Sequence, residues 1–129
     1  TLAPAQVEDY SGLDAKPSPV SVCCGQSHTA VICYEPSTER RRVFTFGGGM
    51  LGRLGHGNEV NQYTPKHIEG LEFCALSVAC GSDHTVAIAK MPDGNDMVAG
   101  YLWVWGKGSA ICEYKDVLAP KKFTHLDNR

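Results

Sequence analysis

Apolar residues occur along the chain in short runs, separated by clusters of Gly, Pro, Asp and Asn. The runs are rich in Val, Ile, Thr, Phe and Trp and show little sustained helical period, so they predict β-strands. Four strands are placed in each half of the chain: near residues 19–24, 28–33, 42–47 and 64–69, and near residues 75–80, 84–89, 101–106 and 119–124. The pattern therefore predicts an all-β fold.

Two of the predicted strands, at residues 29–33 and 102–105, are apolar at nearly every position. A strand with one solvent-exposed face would alternate apolar and polar residues, so both faces of these two strands should be covered by other parts of the protein. A small four-stranded antiparallel sheet that is covered on both faces and recurs along the chain is typical of a β-propeller blade. The sequence thus predicts two four-stranded antiparallel blades of a β-propeller.

The two halves resemble each other in sequence. Residues 22–32 align with residues 78–88 at an offset of 56, which keeps Gly, His and Thr in place. Further landmarks recur in the same order, an aromatic-Gly strand end and then a proline near the last strand. Self-similarity at a fixed spacing indicates repeats. We divide the chain into a lead at 1–16, repeats at 17–70 and 71–124, and a tail at 125–129.

The first unit contains CGQSHT at residues 24–29, FG at 46–47, GRLGHG at 52–57 and PKHI at 65–68. This order resembles the repeat of the regulator of chromosome condensation family. Members of that family are seven-bladed propellers, so the resemblance implies that the chain is part of a larger seven-bladed ring. The other blades would come from flanking sequence, another chain or self-assembly.

The chain departs from the repeat of that family in two ways. Arg53 stands where the glycine-rich loop usually has glutamine, and residues 106–112 of the second unit lack that loop altogether. Both units also carry long insertions between their second and third strands, at residues 34–42 and 90–100. Long loops often carry function.

Residues that recur between the units, or that belong to the glycine-rich loop, are assigned to architecture. They are Gly25, His28, Gly47, Gly52, Gly55, Gly57, Pro65, Gly81, His84, Gly106 and Pro120. Gly25 and Gly81 should supply turn dihedrals that other residues avoid. The imidazoles of His28 and His84 should bond to backbone groups of the turn, because buried polar atoms need partners.

Two blades packed on each other would leave their outer faces bare. We expect those faces to be lined by aromatic strand residues, namely Phe44, Phe46, Trp103 and Trp105. Such faces are unfavourable in water, so further blades are needed to cover them.

The candidate partner-binding loop contains basic residues of the first unit: Arg40, Arg41, Arg42, Arg53 and His56. The first three form the densest basic cluster and fall in the first long insertion, where they could face phosphates or an acidic protein. The alternative is a solvated loop, because Glu35 and Glu39 dilute the positive charge.

The composition limits the function further. A chain of 129 residues with net charge −2 forms one domain without a global positive field. The longest apolar stretch, residues 97–105, is too short to cross a membrane. The six cysteines lack metal-site spacing and lie mostly in apolar runs, which favours free buried thiols and a nuclear or cytoplasmic, reducing compartment.

The segment GGGMLG at residues 47–52 fits a dinucleotide-binding pattern, but the glycine-rich sequence that follows it cannot begin the helix that such a site requires. No cofactor, metal ion or catalytic residue is expected.

Three functions remain open. The favoured one is a non-catalytic propeller that presents loops to a protein partner. The second is implied by the founding member of the family, an exchange factor for the small GTPase Ran that docks on chromatin. The third is a regulatory propeller of a larger ubiquitin ligase or kinase. The light-sensing branch of the family uses clustered tryptophans, whereas this chain has only Trp103 and Trp105.

Overall fold

The structure, a computed structural model, describes residues 3–7, 18–71, 74–90 and 100–123. Within these ranges it contains eight strands and two short 3-10 turns, without an α-helix, which confirms the predicted all-β fold. The strands are β1 (Ser18–Cys24), β2 (His28–Glu35), β3 (Arg40–Gly47), β4 (Gln62–His67), β5 (Cys74–Cys80), β6 (His84–Lys90), β7 (Gly100–Gly106) and β8 (Val117–Lys122). Each bound lies within two residues of the predicted one.

Some predicted segments cannot be compared with the structure. The tail at 125–129 lies outside the described residues, and so do most of the lead at 1–16 and of the second insertion at 90–100. Among the described residues, no helix has the length and apolar character that a membrane span requires.

The strands form two antiparallel meanders, blade 1 (β1–β4) and blade 2 (β5–β8). The pairing is equivalent in the two blades: His28 lies opposite Gly47, and His84 lies opposite Gly106. β1 and β5 each carry a β-bulge at the equivalent place. One parallel bridge, between Arg41 and Cys74, joins the blades. The two predicted four-stranded antiparallel blades are therefore confirmed.

The main hydrophobic core lies between the two blades. Its buried members are Ala30, Ile32, Val43, Ile68 and Leu71 from the first unit, and Ala75, Val78, Ala87, Ala89 and Trp105 from the second. Along β2 and β6, alternate residues face the other blade, as the two-residue period of a strand requires. Burial of these apolar side chains is the main favourable contribution to packing between the blades.

Both tryptophans lie on the face of blade 2 that packs against blade 1, so the expectation that they line an outer face is wrong. The antiparallel register sets Trp105 opposite Thr85 and Trp103 opposite Ala87. Since Thr85 and Ala87 are buried toward blade 1, the two indoles share that face. Trp105 is fully buried in the core between the blades, and Trp103 packs against that core.

The outer face of blade 1 carries a second, smaller cluster. Val31, Cys33 and Phe44 are buried there, and Phe46 packs against them. The Phe44 ring also meets the ring of His67 edge to face, with the ring centroids 6.1 Å apart. Phe44 and Phe46 thus lie on the predicted face, where Phe44 is buried and Phe46 is half-buried, whereas Val22 of β1 is 64% exposed.

Gly25 and Gly81 serve a different purpose from the one expected. Neither has a positive φ, unlike Gly47 and Gly106 at the ends of β3 and β7. A Cβ on Gly25 would collide with the ring of His28, and a Cβ on Gly81 would collide with the ring of His84. The two glycines therefore provide space for the imidazole three residues later.

The remaining architectural residues fit local backbone requirements. Gly52, Gly55 and Gly57 all have positive φ within the loop that follows β3. Pro65 and Pro120 lie in β4 and β8, which are edge strands among the described elements. An edge strand tolerates proline because its outward N–H is not needed for pairing.

Candidate interaction surface

A hydrogen-bonded seam joins blade 1 to blade 2. His28 Nε2 lies 2.8 Å from Thr85 Oγ1, and the Thr85 hydroxyl donates to the Arg53 carbonyl oxygen at 2.8 Å. The hydroxyl proton is thus used, so His28 must donate through Nε2. The expected partner of His28, turn backbone, is wrong for this imidazole nitrogen: the partner is a threonine of the other blade.

The environment of His28 favours a neutral imidazole. Burial lowers its pKa below the usual value, and the positive charge of Arg53 lowers it further. A neutral ring with its Nε2 proton engaged in a hydrogen bond is suited to holding the blades together.

Arg53 also belongs to the seam. Its Nη1 donates to Asp83 Oδ1 at 2.6 Å, and its Nε donates to the Gly48 carbonyl at 2.8 Å. The residue is 7% exposed. The positive charge that replaces the usual glutamine is therefore balanced by a carboxylate from blade 2. Arg53 acts within the fold and offers no free guanidinium to a partner.

The cluster Arg40, Arg41 and Arg42 lies in strand β3 and not in a long loop, so its predicted placement is wrong. β2 and β3 are each two residues longer than predicted at this end, so only residues 36–39 form the turn between them. Because β3 runs from Arg40 to Gly47, this cluster and Arg53 lie at opposite ends of the strand, roughly 20 Å apart. The five predicted binding residues therefore do not form one site.

The charges at the start of β3 are partly neutralised. Arg42 Nε lies 3.3 Å from Glu35 Oε2, and Thr38 Oγ1 donates to Glu35 Oε1 at 2.6 Å. The hydrogen bond from Thr38 lowers the pKa of Glu35, and the charge of Arg42 adds to the effect. Arg41 is the exposed member of the cluster.

His56 lines a cavity of about 260 Å³ beside β4 and β8. The other lining residues are Gly55, Gly57, Lys66, His67, Glu69 and Ala119. The Thr45 hydroxyl donates to the Leu54 carbonyl at 2.7 Å, so the 2.8 Å contact with His56 requires its Nε2 to donate. Burial, aided by the charge of Lys66, lowers the pKa of His56 to about 4.

In the described ranges, no group of three or more His, Cys, Asp or Glu side chains is arranged so that it could hold a metal ion.

Two loops connect the third and fourth strands of the blades, at residues 48–61 and 107–116. In the first, the Gly49 N–H donates to Asn61 Oδ1 at 2.9 Å. In the second, the Gly108 N–H donates to Asp116 Oδ1 at 3.0 Å. Each loop begins with a short 3-10 turn. The second unit, whose residues 106–112 lack the glycine-rich loop of the first, thus has a shorter connection with an equivalent anchoring bond.

Four large apolar side chains that are exposed in the described part of the chain lie on or beside these two loops. Met50 is 62%, Val60 57% and Tyr63 88% exposed, and Tyr114 is fully exposed. The loops are neighbours, because the turn at Met50–Gly52 packs against β8. We call the four side chains the loop surface. The sequence contained a signal for it, since apolar residues stand among glycines and polar residues outside the predicted strands.

Comparison with known proteins finds a family match. Residues 42–88 match the sequence model of the Regulator of chromosome condensation (RCC1) repeat. The chain is 37% identical over 95 residues to the X-linked retinitis pigmentosa GTPase regulator homolog of Caenorhabditis elegans, over 72% of this chain and 6% of that protein. The human E3 ubiquitin-protein ligase HERC2 is 31% identical over 106 residues, which are 81% of this chain and 2% of that protein.

Two further relatives extend the comparison. The Ultraviolet-B receptor UVR8 of Arabidopsis thaliana is 32% identical over 108 residues, 80% of this chain and 22% of the receptor. The crystal structure of human WBSCR16 superposes with a TM-score of 0.62 at 22% identity, over 85% of this chain and 26% of that one. The chain therefore spans less than a quarter of these curated relatives, and the solved structure supports the fold alone.

Proposed function

We propose that this chain, which carries RCC1 repeats folded as two propeller blades, is a non-catalytic segment that binds a protein partner through the loop surface. The proposal rests on the exposure of four apolar side chains on and beside two adjacent loops, those of Met50, Val60, Tyr63 and Tyr114. Tyr and Met are enriched at protein interfaces, and Tyr is among the residue types that contribute most of the affinity.

The local structure supports binding by these loops. Asn61 and Asp116 tie each loop to its own start, and Glu59 Oε1 accepts a further bond from the Leu51 N–H at 2.9 Å. A loop that is already held in place loses less conformational entropy when it binds. Fixed loops with apolar tips therefore favour association with a preformed protein surface.

Three of the polar side chains that acid–base chemistry would use are already engaged. His28, His56 and Arg53 each use a proton in an internal hydrogen bond. General acid–base catalysis needs a group that is free to exchange its proton with a substrate. This arrangement supports the non-catalytic interpretation.

A small GTPase is the first partner to test, because one relative is named a GTPase regulator homolog. The alternatives are a regulatory blade pair of a ubiquitin ligase or kinase, and chromatin docking through Arg41 at the exposed start of β3. A nuclear or cytoplasmic location accords with each of them. The loop surface and Arg41 lie in different parts of the fold, so substitutions can separate the proposals.

The experiment measures binding of Ran, with GDP, with GTP and without nucleotide, to the protein by isothermal titration calorimetry. We expect Tyr63→Ala and Tyr114→Ala each to weaken binding by roughly tenfold, because removing a tyrosine that contributes about 1.4 kcal/mol to binding lowers the affinity by that factor. Arg41→Ala is the matched control and should leave an apolar interface unchanged. Release of a fluorescent GDP analogue tests for exchange in the same samples.

Two results would reject the loop surface as the binding site. Equal affinity of the wild type and both tyrosine variants would place the contact elsewhere. Binding that requires Arg41 and disappears at high salt would support recognition of an acidic partner or nucleic acid instead. Absence of Ran binding in all forms would remove Ran from the proposal.

A further inference from the structure

Two cysteines meet where the first strands of the blades pack together. Cys23 lies in β1 opposite Ala30, and Cys80 lies in β5 opposite Thr85. Both side chains are partly buried against the core between the blades. Cα atoms of β1 and β5 approach within 8 Å, so the strands are close enough for side chains to touch across the seam.

The two thiols interact directly. The Cys80 thiol is hydrogen-bonded to Cys23 and stabilises its thiolate, which lowers the pKa of Cys23. The same interaction, together with burial, raises the pKa of Cys80 and keeps it a thiol. A thiolate that is stabilised by a neighbouring thiol is thus favoured at this pair, and the thiolate is the form of cysteine that attacks an oxidant.

The repeat itself does not require this pair. In the aligned units Cys24 corresponds to Cys80, whereas Ala79 stands at the place of Cys23. The pairing of Cys23 with Cys80 therefore belongs to this one junction. Cys33 provides a contrast within the chain: it is fully buried, and burial raises its pKa to about 12, which makes it unreactive.

We propose that Cys23 and Cys80 are a modification site, at which a hydroperoxide joins the two blades by a reversible disulfide bond. The Cys23 sulfur attacks one oxygen of the hydroperoxide, and the O–O bond breaks. Cys23 becomes a sulfenic acid, and the other oxygen leaves as an alcohol, or as water from hydrogen peroxide, with the Cys23 proton.

The second step forms the link. The Cys80 sulfur attacks the sulfenic sulfur, the S–S bond forms, and the S–O bond breaks. The hydroxide leaves as water with the Cys80 proton. Two thiols lose two electrons and the hydroperoxide gains them, so one alcohol and one water are released. A dithiol reductant reverses the link by thiol–disulfide exchange.

The link would fix the first strands of both blades to each other. It closes a long loop between residues 23 and 80, which restricts the unfolded chain. It crosses the same seam as the bond between His28 and Thr85. The oxidised protein should therefore resist separation and unfolding of the blades more strongly than the reduced protein.

The test treats the purified reduced protein with hydrogen peroxide and maps its peptides by mass spectrometry. We expect a linked peptide pair containing Cys23 and Cys80, a loss of two hydrogen masses, and reversal by dithiothreitol. The midpoint of thermal unfolding should rise by roughly 10 °C on oxidation.

The matched variants are Cys80→Ser and Cys24→Ser. Cys80→Ser should lose both the link and the rise in midpoint, whereas Cys24→Ser should keep both, because Cys24 is the exposed neighbour. The wild-type peptide map remains decisive even where a variant folds poorly. The proposal is wrong if peroxide oxidises Cys24 or Cys112 while Cys23 and Cys80 stay alkylatable, or if the link joins Cys24 to Cys80 or joins two chains.

Discussion

The two blades have equivalent faces that differ in what covers them. Blade 2 covers this face of blade 1, whereas no further blade among the described residues covers the equivalent face of blade 2. In blade 1, Ile32 and Val43 are fully buried because blade 2 covers them. Their counterparts in blade 2 are Ile88, which is 42% exposed, and Leu102, which lines a groove of about 110 Å³. Residue chemistry is nearly the same at both places. The difference in burial comes from the presence of the next blade.

The largest expected effect comes from truncating isoleucine at the two equivalent positions. Ile32→Ala should lower the free energy of unfolding by about 3 kcal/mol, because it removes buried methyl groups and leaves a cavity between the blades. Ile88→Ala should lower it by less than about 1 kcal/mol, because its side chain is already in contact with water. Urea denaturation followed by circular dichroism measures both values.

An equal loss of stability in the two variants would contradict the described difference. It would mean that the open face of blade 2 is covered in solution, by further chain or by another copy. Light scattering on the same samples distinguishes these cases, since only the second changes the molecular mass.

The strands were predictable from the sequence because each coincides with an apolar run, such as residues 29–33 in β2. The orientation of the tryptophans was not. Alternation puts Trp103 and Trp105 on one face, but only pairing with β6 and packing against blade 1 decide which face it is. The sequence pattern therefore specifies which residues share a face, and tertiary packing specifies what covers it.

The candidate site was less predictable. Three adjacent arginines suggested a loop, yet Glu35 and the pairing of β2 with β3 keep them in a strand. The partner of Arg53 is Asp83, 30 residues away, and no local pattern indicates that contact. Contacts across the seam depend on the two units packing together, which a single sequence does not show.

The two loops differ in their response to pH, which gives the next largest effect. The loop at 48–61 contains His56, whose pKa of about 4 lies below the usual value near 6.5. The unfolded state therefore binds the proton more strongly, and stability present above pH 6.5 is lost as the pH falls toward 4. The loss should be roughly 2 kcal/mol, allowing for partial exposure of the ring.

Urea denaturation between pH 7 and pH 4 measures this loss. His56→Gln should flatten the dependence, because the amide can still donate to Thr45 Oγ1 and does not titrate. His28, whose pKa is also lowered, contributes in the same direction and should leave a smaller residual slope. Ile88→Ala removes no titratable group and should keep the full slope. A His56→Gln protein with an unchanged slope would assign the pH dependence to other groups.

The smallest effect tests whether the two loops are anchored in the same way. Asn61→Ala and Asp116→Ala each remove one acceptor from a backbone N–H, of Gly49 and Gly108. Both side chains are exposed, so water can replace part of each bond, and each variant should lose roughly 0.5–1 kcal/mol of unfolding free energy. Ser109→Ala, in the exposed turn of the second loop, is the control and should change stability by less than about 0.5 kcal/mol. Equal losses would establish the shortened loop as a working counterpart of the longer one. A large loss at Asn61 with none at Asp116 would mean that the second loop keeps the shape of the anchor without its energetic contribution.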